Sequence, residues 1–157
     1  MKKRLFTSCL VVLLALPGIS FAMKHDMAGM DHGSMSKKGD MHKGMITVGE
    51  QTVDGVKAIV YLNDVKATMA KMGMKETHHL MIHFYNAKDG KTIEEGVVAV
   101  KIKGPDGKEG GALKMIGMDA HFGADIVLDQ KGAYLFTAGS QLADGVKRQF
   151  ELKYELK

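Results

Sequence analysis

From Ile46 to the last residue, turn signals cut the chain into short apolar or alternating runs, and this spacing most limits what it can fold into. A run of period two builds a half-buried strand, whereas a helix needs apolar positions three and four apart. The end of the chain is the clearest case, with Phe150, Leu152, Tyr154 and Leu156 alternating against Glu151, Lys153 and Glu155. Val56 to Leu62, His78 to Tyr85, Val97 to Lys103, Leu113 to Met118, Ala124 to Leu128 and Ala133 to Thr137 read as further strands. Asn86-Ala87-Lys88-Asp89-Gly90 and Gly104-Pro105-Asp106-Gly107 have the composition of turns. A single stretch, Val65 to Met72, suits a short helical turn, with Met69 and Met72 three apart. About seven short strands with regular turns predict an all-β fold, an antiparallel Greek-key β-sandwich, with a barrel as the alternative.

The first 22 residues have a different character. Lys2, Lys3 and Arg4 make a basic start, Leu10 to Leu16 an apolar core, and Ser20-Phe21-Ala22 puts small residues where a signal peptidase reads. The apolar run is too short for a membrane span, which needs roughly 20 residues. Cleavage after Ala22 and export to the periplasm or medium are therefore expected. Cys9 precedes the apolar run instead of following it, against a lipoprotein. Cleavage removes three cations, no acids and the one cysteine, so most of the +4 net charge belongs to the leader. The remaining charge argues for neither nucleic acid nor membrane as a partner. Without disulfides, stability must come from the core, and without thiolates any metal must be held by Met, His or carboxylates.

Residues 23–45 carry six methionines and three histidines among Gly, Asp, Ser and Lys. The segment is too polar and Gly-rich to fold alone and is expected to be a disordered tail ahead of a domain at 46–157. Methionine there has no cavity to fill. Thioethers prefer Cu(I), and imidazoles serve Cu(II) and other borderline metals. His25, Met27, Met30, His32, Met35, Met41 and His42 are thus candidate copper ligands, with a solvated Met-rich linker as the alternative. Cleavage after Ala22 would also leave Met23-Lys24-His25 as the terminus. Its amine, two amides and imidazole can close the square-planar site that Cu(II) or Ni(II) favours.

In the domain, the strand Thr77 to His83 carries the densest ligands. Alternation puts Leu80, Ile82 and Phe84 on a core face, and His79, Met81 and His83 together on the outer, solvent-facing side. His78 falls on the core side. Met118 and His121 lie in an expected loop bracketed by Gly117 and Gly123, free to aim at a ligand, while Met115 is expected in the core. If segments 117–123 and 72–74 meet the His79 face, a mixed Met/His site results. Ordinary outer-face polar residues are the alternative for all of these. Catalysis finds no support: the chain lacks a Gly-x-Ser-x-Gly elbow, a phosphate-binding Gly loop and a His-Glu-x-x-His helix.

Met27 to Met35 resembles the Met/His-rich segments of periplasmic copper-resistance proteins and multicopper oxidases. Three segments make the domain similar to YtkA-like or related periplasmic Ig-like modules. They are His79 to Gly90, the Pro105-Asp106-Gly107 turn, and His121 to Asp125 ahead of Gly132-Ala133-Tyr134. The resemblance implies an Ig-like sandwich with a non-enzymatic metal-binding or accessory role. The chain departs from copper-resistance sandwiches in having no histidine early in the domain. The expected function is an exported copper chaperone or sequestering buffer, with a periplasmic or membrane copper-handling protein as partner. The competing expectations are an interaction module for an envelope or oxidase-assembly partner, and an accessory to iron or other divalent-metal transport.

Overall fold

The computed structural model describes residues 44–157. Ten strands and one short helix follow one another: β1 (Ile46–Val53), β2 (Val56–Asp64), α1 (Lys66–Lys71), β3 (His78–Asn86), β4 (Thr92–Ile93), β5 (Gly96–Lys103), β6 (Leu113–Lys114), β7 (Ile116–Met118), β8 (His121–Ile126), β9 (Gly132–Leu142) and β10 (Lys147–Leu156). They form two antiparallel sheets, one ordered β1-β2-β3-β8-β7 with β4 also on β3, the other β10-β9-β5-β6. The β-sandwich expected from turn spacing is the fold observed. Non-consecutive neighbours, β8 beside β3 and β9 beside β5, give it Greek-key connectivity. The two ladders stay separate, so the barrel alternative is not realised.

Alternation determines the core. Val56, Ala58, Val60 and Leu62 of β2 face inward, as do Leu80, Ile82 and Phe84 of β3. Phe84 is the hinge of this packing, its ring 5.7 Å from Phe122 on the same sheet and 5.4 Å from Phe150 on the other. Removing such a fully buried aromatic typically costs about 3–5 kcal/mol.

Three local departures from the sequence reading have physical reasons. Ile46–Val53 shows no clean alternation because a bulge between Thr47 and Gly49 shifts its register against β2. The expected strand Leu113 to Met118 is broken at Met115. There the chain passes from one sheet to the other, with the Met115 side chain buried and its N–H bonded to the Val98 carbonyl at 2.9 Å. The expected loop around Met118 and His121 is a β-hairpin, β7 to β8, in which these two residues are cross-strand partners. Asp119, in the two-residue turn between them, takes φ 42°, a left-handed conformation that Asp tolerates better than most side chains.

Candidate metal centre

The outer face of the first sheet gathers the domain's ligand-type residues. Directly paired residues in an antiparallel ladder point to the same side. Register pairs His79 with Asp125, Met81 with Gly123, and Met118 with His121. Crossing β3 and β8 at Gly123 therefore means crossing a bare spot. Met81 stands beside it, His79 and Asp125 lie two residues one way along the strands, and His83 and His121 lie two residues the other way.

Packing around that spot is tight. A Cβ on Gly123 would lie 2.8 Å from His79 Nε2 and 2.9 Å from Met118 Cε. The His79 and His121 rings stand edge to face with centroids 6.2 Å apart, and His83 stacks on His121 at 5.2 Å. Two imidazoles sharing one ion at metal–nitrogen distances near 2.0–2.1 Å place their centroids roughly 5–6 Å apart. The His79 and His121 spacing is close to that scale. His79 Nδ1 is 2.6 Å from Asp125 Oδ1. Burial, with a further push from His79, holds the His121 imidazole below its ordinary pKa, although the Asp119 carboxylate pulls the other way. A neutral ring is the form that can bind metal.

The face is more enclosed than alternation alone suggests. His79, Met81 and His83 do share the side opposite Leu80, Ile82 and Phe84, yet Met81 is only 4% exposed and His83 8%. Tyr61 meets the His83 ring edge-on at 5.5 Å and Tyr85 stacks on it at 6.3 Å. The His121 ring, carried on the β7–β8 hairpin, also stacks on it, so the expectation of a solvent-facing triplet is corrected for Met81 and His83. Alternation tells which side a residue takes and is silent on what covers that side.

Of the expected meetings, segment 117–123 joins the His79 face. Met72 and Met74 are exposed, at 59% and 44%, on the connection after α1. His78 is buried on the core side as expected, its Nδ1 2.8 Å from the Thr77 hydroxyl. His25, Met27, Met30, His32, Met35, Met41 and His42 lie outside the described residues, as does Met23-Lys24-His25. Sequence reasoning missed Gly123 and Asp125. Their signal was the period-two set His121, Gly123, Asp125, which reading 117–123 as a loop obscured.

Among the described residues, no three His, Cys, Asp or Glu side chains converge into a metal cage. A site on this face must therefore use thioether sulfur with its imidazoles, a donor set that suits soft and borderline ions and fits hard ones poorly. The cleft of about 370 Å³ lined by Asp54, Lys88, Asp144 and Arg148 offers less, because Arg148 is already bound to Asp144 at 2.6 Å. Among the described residues no helix is long and apolar enough to cross a membrane.

No family model matches the chain, and no curated protein matches it. Among solved structures it is similar to a DUF4426 family protein from Pseudomonas aeruginosa, with a TM-score of 0.52 at 13% identity over 68% of this chain and 94% of that one. At that identity the likeness shows the fold alone, and the fold it shows is a β-sandwich domain.

Proposed function

We propose that this is an exported, non-enzymatic copper-binding protein, a periplasmic chaperone or sequestering buffer for Cu(I) and Cu(II), akin to YtkA-like and copper-resistance sandwich proteins. The observation that carries this reading is the convergence of His79, His121 and Met118 around Gly123, with Met81 and His83 alongside. Two imidazoles and a thioether suit copper in either oxidation state. The Met/His-rich stretch of residues 23–45 supplies further soft donors in the same chain. On this reading its methionines capture Cu(I) and the sheet face holds or relays it to a copper-handling partner.

The test is Cu(I) competition with a chromogenic chelator, comparing the mature chain with its His79→Ala/His121→Ala variant. The variant should lose about one equivalent while the remaining stoichiometry stands. Unchanged stoichiometry would remove the sheet face from the copper reading. A second reading, an interaction module for an envelope or oxidase-assembly partner, draws on Ile116, 66% exposed on the short edge strand opposite Gly123.

A further inference from the structure

We propose that Gly123 and Asp125, neither of them a ligand, are the positioning residues that make His79, His121 and Met118 a single soft-metal site. The inference rests on the copper-binding reading above and assigns the geometry of that same site. Two observations carry it. The first is the missing side chain at Gly123, where an added Cβ would crowd His79 Nε2 and Met118 Cε at under 3.0 Å. An imidazole nitrogen and a thioether arm therefore reach over the same bare backbone. Any side chain there would push the imidazole and the thioether arm off that spot and spoil their approach to a shared ion.

The second observation is the 2.6 Å contact between His79 Nδ1 and Asp125 Oδ1. A neutral imidazole carries one proton and one lone pair. With the proton on Nδ1 donated to the carboxylate, the lone pair belongs to Nε2, the nitrogen that faces the space over Gly123. A carboxylate behind a ligating histidine fixes its tautomer and orientation and raises its basicity. His121, whose ring stands edge to face with that of His79, completes a two-nitrogen, one-sulfur set. Such a set selects Cu(I) or Ag(I) over hard cations.

Both residues can be changed without an obvious cost to the fold. Gly123 is not among the positive-φ glycines, and the atoms a Cβ would meet are side-chain ends that can swing aside. Asp125 is an exposed outer-face residue.

The experiment is an Ag(I) titration of the full mature chain, followed by NMR of ¹⁵N-labelled histidine rings and ¹³C-labelled methionine methyls. The wild type should show His79 Nε2, His121 and Met118 signals moving together. Gly123→Ala should weaken that response tenfold or more while the amide spectrum stays folded. Asp125→Ala should weaken it by about 10–100-fold and scramble the His79 tautomer. Asp125→Asn, whose amide oxygen can still accept a hydrogen bond from Nδ1–H, should restore most of the affinity. If the wild-type signals do not move at saturating Ag(I), the copper reading of this face fails. If they move with the same affinity in Gly123→Ala and Asp125→Ala, the copper reading stands and the roles given to these two residues are refuted.

Discussion

Replacing His83 by Ala should destabilise the domain, whereas replacing His79 should not, although the two histidines share one strand face. His83 is 8% exposed and has three aromatic neighbours: Tyr61 at 5.5 Å, Tyr85 at 6.3 Å and His121 at 5.2 Å. Aromatic pairs contribute roughly 0.5–1.5 kcal/mol each beyond the area they bury. Losing three neighbours that overlap in part should then cost about 1.5–3 kcal/mol. The side chain of His79 is 21% exposed, and its polar partner Asp125 is exposed at 37%. Pairs of that kind contribute about 0.2–1 kcal/mol. Thermal denaturation followed by circular dichroism separates the two, since 1 kcal/mol moves the midpoint of a domain this size by about 4 °C. His83→Ala should melt roughly 6–12 °C below wild type and His79→Ala within about 4 °C of it, with Phe84→Ala as the core control at about 3–5 kcal/mol. Equal midpoints for the two histidine variants would refute the assignment of a covered and an open end to this face.

Three further outcomes are expected. Mass spectrometry of protein from the periplasmic fraction should find Met23 as the first residue, and an intact N-terminus on a membrane-bound product would contradict export by cleavage after Ala22. Deleting residues 23–45 should remove several equivalents of Cu(I) and leave the thermal midpoint within a few degrees, since β1 starts at Ile46; an unchanged Cu(I) stoichiometry would make the segment a linker. Burial lowers the His78 pKa, outweighing the opposing Asp64 charge, so the unfolded chain binds this proton more readily than the folded one. The stability His78 contributes is therefore complete above the ordinary imidazole pKa, declines as pH falls through that value, and levels off below the folded value. Urea midpoints between about pH 7 and 5 should fall less steeply for His78→Gln than for wild type, and parallel slopes would remove His78 from the acid response.

How much of this was legible beforehand depended on whether a property is local. Side-chain alternation is a property of one strand, so it separated Leu80, Ile82 and Phe84 from His79, Met81 and His83 without reference to any partner. Turn chemistry at Asn86 to Gly90 and Gly104 to Gly107 is equally local, and with the alternation it specified a sandwich. The clustering of Met and His in residues 23–45, and its soft-ligand chemistry, need no fold to be seen. Which strand lies beside β3 is not local. The chain leaves the first sheet, runs through β5 and β6, and returns at β7 and β8 before Met118 and His121 can stand near His79. That neighbour is selected by burying Phe122, Ala124 and Ile126 against the opposite sheet, a collective packing choice with no signature in β3. The same choice set the 79–125 and 81–123 pairings, and so placed a carboxylate behind one imidazole and a side-chain-free residue beneath it. Residue types and strand faces were written in the sequence; the donors came together only through long-range strand pairing, which local periodicity does not encode.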